Sequence, residues 1–137
     1  LDLAFAVRAN VVITHTDEAG RHTRHDVVME ARTKLRRAGT PDAEWPSEPV
    51  LVQQEAVAWL AARAERNGFA VEPGLIRAYG YRQHSFRKPK GDSIRFSTVD
   101  LEGLLKVRDP DRFAALLFNG VGPVKGFGCG MFVIRRP

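Results

Sequence analysis

Two apolar periodicities run along the chain, and they predict its strands and helices. The stretch from Leu3 to His15, with Arg8-Ala9-Asn10 in its middle, predicts a first strand. Apolar residues at helical spacing predict a helix from Val50 to Asn67 that ends before Gly68, with Trp59 in the core. Later in the chain, further strands and one more helix are predicted in this order: strand 76–82, strand 94–97 with its continuation to residue 107, helix 110–119 and strand 131–134.

The predicted order is strand, helix, strand, strand, helix, strand, once the segment after the first strand is set aside. This order is typical of a ferredoxin-like α+β fold, in which an antiparallel sheet carries two helices on one face. The inserted loop after the first strand contains a turn at 17–20, a candidate returning strand at 24–29 and a short basic segment at 31–38. Residues 39–49 hold three prolines and predict a loop.

Size and composition limit the class of protein. At 137 residues and 15.3 kDa, with 44% hydrophobic residues, the chain is long enough for one domain, residues 1–137. Its single cysteine, Cys129, excludes a disulfide framework or a cysteine metal cluster and is expected in the core. No apolar run is long enough to span a membrane and no leader is visible, so we expect no membrane partner and a cytoplasmic location. The sequence begins without Met in a strand-like stretch, which suggests a piece of a longer protein.

Positive charge is concentrated in one segment. The formal charge is +5, and residues 77–95 hold six basic residues against Asp92 alone. A turn at Pro89-Lys90-Gly91-Asp92 makes this segment the tip of a hairpin, with aromatic residues between the charges. Such a tip favours a polyanion through counterion release, although a solvated, charge-protected hairpin would look the same. The candidate nucleic-acid-binding residues here are Arg82, Gln83, His84, Arg87, Lys88 and Lys90.

Residues 120–130 form a second candidate site, with five glycines and Lys125 in eleven positions. Glycines allow close backbone approach and N–H donation to an anion such as phosphate. The loop leads from a helix to a strand, so it is neither a dinucleotide fingerprint nor a P-loop, both of which run from strand to helix. The glycines could also serve only as a tight connection. The candidate phosphate-binding residues are Gly122, Lys125, Gly126 and Gly128.

The histidines do not identify a catalytic or metal site by sequence alone. His22 and His25 lack the further ligands that a structural metal needs, so no metal site is predicted. His84 on the basic hairpin is a candidate for RNA contact, with simple exposure as the alternative and catalysis as an outside possibility. The catalytic residues stay unknown at this stage.

Four separated motifs resemble the CasE family, the endoribonucleases that process repeat transcripts in type I-E CRISPR systems. The matches extend over nearly the whole chain. Residues 5–10 resemble the R-x-R-A-N strand of that family, although Ala6 and Val7 replace some of its basic residues. The other matches are the Trp59-Leu60 pair in a helix, the glycine-rich loop 120–131, and the strand 99–107. This strand resembles the family's F-x-G-x-L-x-V strand, with Leu101, Gly103, Leu105 and Val107 aligned.

This resemblance implies a specific activity and set of partners. CasE-like proteins have two ferredoxin-like domains, bind the stem-loop of the CRISPR repeat transcript, and cut at its 3′ base without a metal or other cofactor. The 2′-hydroxyl attacks the adjacent phosphate and leaves a 2′,3′-cyclic phosphate and a 5′-hydroxyl. The product commonly stays bound as the protein becomes a subunit of Cascade, so target DNA would be met only through the complex. This chain resembles the second, C-terminal domain, and the family's catalytic histidine motif has no match here, so the segment is expected to bind RNA without cutting it.

Two other classes of function stay open. The first is a catalytically inactive module that binds RNA or docks on Cascade partners. The second is a ferredoxin-like domain whose glycine loop binds a small anionic ligand; its binding would depend weakly on salt, whereas several phosphate contacts give a steep dependence.

Overall fold

The computed structural model describes residues 2–137, which form six strands, three α-helices and three short 3-10 turns. The strands are β1 (Asp2–Ala9), β2 (Val12–Thr16), β3 (His22–Asp26), β4 (Phe69–Arg87), β5 (Ser93–Val107) and β6 (Val133–Arg135). The helices are α1 (Val27–Arg37), α2 (Glu48–Ala64) and α3 (Pro110–Asn119), and the 3-10 turns are Asp42–Glu44, Glu65–Asn67 and Lys125–Phe127.

The main sheet has four strands in the order β4-β5-β1-β6, and every neighbouring pair is antiparallel. With β1, α2, β4, β5, α3 and β6 taken in chain order, this is the predicted βαββαβ arrangement, and the ferredoxin-like fold is confirmed. Phe5, Val7 and Ala9 of β1 alternate into the core, where α2 and α3 cover them. The opposite face of the sheet is open.

Local sequence signals mark the start of α2 and both ends of α3. Asp109 accepts hydrogen bonds from the first turn of α3, and Gly120 ends that helix with φ 74°. Helix α2 begins two residues earlier than predicted, with Pro49 in its first turn, where proline costs no hydrogen bond. Trp59 is buried at 3% exposure and donates its indole N–H to the Val12 carbonyl at 2.8 Å.

The prediction of a single strand from Leu3 to His15 is wrong. The chain bends after Ala9, where the Asn10 side chain is buried and donates to the Ser97 carbonyl at 2.7 Å. The Val12 N–H closes a tight bend on the Asn10 carbonyl at 3.0 Å. Strand β2 therefore leaves the main sheet and pairs with β3 in a separate hairpin.

The inserted segment is not a loop, and its second strand is shorter than predicted. The β2–β3 hairpin leads directly into α1, so the expected strand at 24–29 ends at Asp26. Asp26 caps α1, because its Oδ1 accepts from the N–H groups of Val28 and Met29 at 2.8 and 3.1 Å. The cap switches the chain from strand to helix at this residue.

None of the helices within residues 2–137 has the length and apolar character that a membrane crossing requires.

Candidate nucleic-acid interface

The basic segment forms a two-stranded ribbon that extends past the sheet. β1 pairs with β5 only from Val99 onward, whereas β4 and β5 stay paired as far as Arg87 and Ser93. A register shift at Gly80, which has φ 69°, marks a β-bulge where the ribbon leaves the sheet. The predicted turn closes the tip, with the Lys88 N–H donating to the Asp92 carbonyl at 2.7 Å.

Four rings connect the ribbon to the glycine loop, and we call them the aromatic stack: His84, Phe86, Phe96 and Phe127. His84 stacks on Phe96 with ring centroids 5.0 Å apart. Phe127 of the glycine loop lies 5.5 Å from Phe86 and 5.4 Å from Phe96. The basic ribbon and the glycine loop, which the sequence indicated as two separate candidate sites, therefore form one surface. Sequence reasoning missed the roles of Phe96 and Phe127, because these residues are thirty-one positions apart along the chain.

His84 is held by its neighbours. Its Nε2 lies 2.9 Å from the Thr98 hydroxyl, and Phe96 covers one face of the ring. One face of the His84 ring and its Nε2 atom are therefore occupied by protein contacts. An RNA contact by His84 would have to involve another part of the ring. His84 stays a predicted RNA contact.

The opposite face of the ribbon is tied to the insert through Asp26. While Oδ1 of Asp26 caps α1, its Oδ2 accepts hydrogen bonds from the hydroxyls of Tyr81, at 2.7 Å, and Ser97. Burial and the Asp26 contact raise the pKa of Tyr81 to about 12, because both favour the neutral phenol. The ribbon is therefore fixed on one face by the insert and on the other by the glycine loop.

The glycines of the loop divide into two groups. A Cβ on Gly122 would lie 3.1 Å from the Trp59 ring, and one on Gly130 would lie 2.2 Å from the Val121 carbonyl oxygen. Packing requires glycine at Gly130, and at Gly122 a tight contact combines with a φ of 74° that favours glycine, as the interpretation of the loop as a tight connection predicts. Gly126 and Gly128 meet nothing within 4 Å, and of the two only Gly128 has a positive φ, 84°. Neither packing nor backbone conformation therefore explains why residue 126 is a glycine.

The exposed part of the loop presents backbone donors. Within residues 2–137, the N–H groups of Gly122, Val124, Lys125 and Gly126 have no backbone or side-chain acceptor, whereas the N–H groups from Phe127 to Gly130 bond within the protein. Val124 has φ 63°, a conformation that is costly for a β-branched residue. A strained turn with several free N–H groups is the kind of backbone arrangement that binds anions.

A cleft of about 460 Å³ lies beside the loop and is lined by cations. We call it the cationic cleft; its basic residues are Arg24, Arg63, Arg66 and Lys125. No carboxylate lines the cleft, and none of these four cations forms an ion pair within the part of the chain that the structure describes. Gly122 of the loop is also part of its wall. The cleft therefore has a positive potential that would attract an anion.

Arg63 is the most buried cation of the cleft. Its guanidinium carbon lies 4.2 Å from the centre of the Trp59 ring, and its Nη2 donates to the Val12 carbonyl at 3.1 Å. Burial lowers the pKa of Arg63 to about 10, and the neighbouring charge of Arg66 adds to the effect. An anion bound in the cleft would offset both the burial of the Arg63 charge and its repulsion by Arg66.

Sequence reasoning found Lys125 and Gly122 but missed Arg24, Arg63 and Arg66. Arg63 and Arg66 are three residues apart near the end of α2, a spacing that places them on one side of the helix but says nothing about what they face. Arg24 is brought across from β3 by the insert. A second cleft, of about 710 Å³, is lined by Gln83, His84 and Arg95 on one side and by Asp26 and Met29 on the other, and Arg24 borders both clefts.

The remaining predicted contacts lie at the exposed ribbon. Arg82 is exposed on the same ribbon face as the aromatic stack, while Arg87, Lys88 and Lys90 are exposed at its tip. In residues 2–137 none of these four has a carboxylate partner within 4.0 Å. The basic segment 31–38 differs, since Arg32 pairs with Glu48 and Lys34 with Glu30.

The open face of the sheet has a different character. Three of its cations are paired with carboxylates: Arg8 with Asp100 at 2.8 Å, Arg77 with Glu102 at 3.5 Å, and Lys106 with Asp2 at 3.9 Å. Tyr79, the exposed aromatic residue of this face, is held between Arg77 and Glu102. Ferredoxin-like domains that bind RNA on the sheet use free aromatic rings there. In this chain the ribbon and the cleft instead bring together several cations that form no ion pair within the described residues.

The fold and this surface define a ferredoxin-like domain with an extended anion-accepting groove. Residues 1–136 match the family model described as CRISPR associated protein, and the chain belongs to that family. The chain is 28% identical over 129 residues to the CRISPR system Cascade subunit CasE of Escherichia coli strain K12, which covers 94% of this chain and 55% of the relative. The CasE resemblance seen in the motifs is thereby confirmed.

Two further comparisons agree. The CRISPR-associated endoribonuclease Cse3 of Thermus thermophilus is 36% identical over 89 residues, which is 58% of this chain and 42% of the relative. A solved structure of the CRISPR endoribonuclease Cse3 bound to 19 nt RNA superposes with a TM-score of 0.65 at 26% identity, and covers 100% of this chain and 56% of that one. The chain spans about half the length of the curated relatives it matches.

Proposed function

We propose that this chain binds the stem-loop of CRISPR repeat RNA, as part of an endoribonuclease that processes the repeat transcript and keeps the product as a Cascade subunit. The observation that carries the proposal is the contact between the ribbon and the glycine loop through the aromatic stack. This contact joins the exposed cations of the ribbon to the cationic cleft in one continuous surface. Relatives described as a Cascade subunit and as an RNA-bound endoribonuclease support the choice of ligand.

The two parts of the surface would bind different features of the RNA. The cationic cleft and the free N–H groups at Gly122, Lys125 and Gly126 suit backbone phosphates, which fix the position of the RNA. Gly128 belongs to the same turn but donates its N–H to the Lys125 carbonyl, so it would shape the loop and not hold phosphate directly.

The ribbon would add affinity and some selectivity. Arg82, Gln83 and His84 lie near its base, and the cations of its tip project beyond the sheet. The major groove of A-form RNA is deep and narrow, so a ribbon enters it most easily at a stem end or next to a loop. A hairpin RNA offers both, which is why it fits this surface better than an extended strand.

The cleavage chemistry would come from another part of the protein. A general acid or base must reach the reacting oxygens, and His84 and His15 are both engaged, by Thr98 and by Glu30. We infer that cleavage proceeds as the CasE resemblance implies, by attack of the 2′-hydroxyl to give a 2′,3′-cyclic phosphate without a metal ion. The chain itself would hold the RNA in position for that attack.

The first test is RNA binding as a function of salt. Purified protein should prefer a repeat hairpin to an unstructured RNA of equal length, and its affinity should fall steeply with salt. Replacing Arg66 and Lys125 together by Gln should lower the slope of log K against log salt by roughly 1–2, since each phosphate contact contributes about 0.7–0.9. Lys106→Gln, on the open sheet face, is the matched control and should leave the slope unchanged.

The outcomes separate the alternatives. Equal weak binding of both RNAs, or an unchanged slope in the Arg66 and Lys125 variant, would overturn the proposal. A shallow salt dependence with tight binding of inorganic phosphate would instead favour a small anionic ligand in the cationic cleft. Hairpin binding without any cleavage by the complete protein in chelator would favour the inactive binding module.

A further inference from the structure

A cluster of metal-ligating side chains lies on the insert, on the side of the β2–β3 hairpin opposite to Arg24. His15 and His25 come from the two strands of this hairpin, and Glu30 comes from the first turns of α1. One ligand atom from each residue lies within 4.8 Å of the other two. The sequence offered only histidines here, and the fold supplies the carboxylate.

The strand register explains how the cluster forms. Ile13 pairs with His25 and His15 with Thr23, so His15 and His25 are diagonal neighbours on one face of the ladder. Their rings meet edge to face with centroids 4.6 Å apart. His22 pairs with Thr16 and lies on the other face, where its Nδ1 is 3.0 Å from the Thr16 hydroxyl.

We propose that His15, His25 and Glu30 bind a divalent transition-metal ion, with Zn²⁺ as the best match. Two imidazole nitrogens and one carboxylate oxygen are a frequent three-residue ligand set for zinc, whose bonds of about 2.0–2.2 Å leave tetrahedral ligand atoms roughly 3.3–3.5 Å apart. The His15 Nε2 is already 3.1 Å from both carboxylate oxygens of Glu30, so a small movement of His25 completes the set. The fourth position would hold water.

An ion pair alone explains only part of this arrangement. It accounts for His15 beside Glu30, but it leaves His25 against the edge of an imidazole with no acceptor of its own in the described residues. Both carboxylate oxygens of Glu30 face the His15 ring at 3.1 Å, so the carboxylate is already oriented toward the proposed site. Lys34, whose Nζ is 3.7 Å from Glu30, is exposed and free to turn away.

The role of the ion would be structural. The three ligands come from β2, β3 and α1, the three elements of the insert that carries Arg24 to the cationic cleft. A bound metal would fasten these elements together, in addition to the Asp26 contacts. It takes no part in RNA cleavage, and this inference holds whether or not the RNA proposal does.

The test is calorimetric titration of metal-free protein with ZnCl₂, accompanied by thermal melting. The unchanged protein should bind one ion per chain and melt at a higher temperature with zinc, as expected for a ligand that binds only the folded state. His25→Ala and Glu30→Gln should each weaken binding by at least about tenfold, because a lost ligand costs at least as much as a lost partner of a ligand. His22→Ala, on the opposite face of the same hairpin, should bind as the unchanged protein does.

Two results would overturn the proposal. One is the absence of zinc binding by the unchanged protein, and the other is an equal loss in the His22→Ala and His25→Ala variants. Both histidines are exposed, so their variants should fold; melting without zinc checks this directly.

Discussion

At the scale of single residues, glycines with similar surroundings in the sequence have different tasks. Gly130 permits a contact that any Cβ would block and Gly122 is crowded with a positive φ, whereas Gly126 is open to solvent and has an ordinary backbone conformation. Because the N–H of Gly126 has no acceptor in the described residues, we predict that this glycine serves ligand binding and not folding.

Gly126→Ala therefore separates binding from folding. We expect the free energy of unfolding in urea to stay within about 0.5 kcal/mol of the original, as for other unstrained surface changes. Affinity for the repeat hairpin should fall several-fold, because the added methyl group keeps phosphate away from the backbone. Gly130→Ala is the contrasting variant and should destabilise the fold strongly. Unchanged RNA affinity in Gly126→Ala would show that the loop backbone at this position does not contact the RNA.

Tyr81 and Asp26 link the ribbon to the insert, and this contact depends on pH. The folded pKa of Tyr81 is about 12 and its unfolded value is about 10, so the phenol binds its proton more tightly in the folded state. A raised folded pKa gives stability that is complete below pH 10 and is lost as pH rises toward 12.

Tyr81→Phe should flatten this alkaline loss. The variant is expected to be less stable at pH 8, since the hydrogen bond to Asp26 is absent, but its stability should fall less between pH 10 and 12. Urea unfolding at a series of pH values gives both curves, and their difference isolates Tyr81 from other titrating groups. Parallel curves over that window would show that Tyr81 is not the source of the alkaline loss.

At the scale of elements, the ribbon and the glycine loop depend on each other. The ribbon has no neighbouring strand beyond Val99, and the loop has no regular structure apart from one 3-10 turn. An isolated two-stranded ribbon is marginally stable in water. Phe127, although 53% exposed, packs against both Phe86 and Phe96 of the ribbon and so supports both elements.

Phe127→Ala should loosen this junction without unfolding the core. Hydrogen exchange should speed up only in residues 82–98 and at the bonded N–H groups of Phe127 and Gly128. Affinity for the repeat hairpin should fall, because stacked aromatic pairs contribute about 0.5–1.5 kcal/mol beyond their burial. Phe118, at the end of α3, is 91% exposed and provides the control, since Phe118→Ala should leave exchange at the ribbon unchanged. Uniform acceleration across the sheet would instead mean that Phe127 supports the whole fold.

At the scale of the whole molecule, the distribution of paired and unpaired charges supports the proposed RNA-binding surface. Arg8, Arg77 and Lys106 on the open sheet face pair with carboxylates, while, within residues 2–137, the cations of the ribbon tip and of the cationic cleft do not. Neighbouring unpaired cations repel one another, and a bound polyanion would offset this repulsion. We therefore expect the positive charge of the ribbon and cleft, and not the net charge of +5 alone, to determine RNA binding.

The sequence by itself determined the elements with strong local signals. Helix α3 follows from its Asp109 cap and Gly120 end, the core of α2 from its apolar spacing, and the ribbon turn from Pro89 and Gly91. These signals depend on residues within a few positions of one another, so the chain specifies them before it folds. Their order was enough to predict the ferredoxin-like sheet.

Only the tertiary structure decided how these elements combine. The bend at Asn10 depends on Ser97, the joining of ribbon and loop on Phe127, and the cleft on Arg24 meeting Arg63. Each of these contacts connects residues that are far apart in the chain. A local sequence pattern does not show which distant residue will form the contact. The two candidate segments, the ribbon and the glycine loop, are therefore visible in the sequence, while the proposed RNA-binding surface depends on the fold, which joins them and adds Arg24 and Arg63.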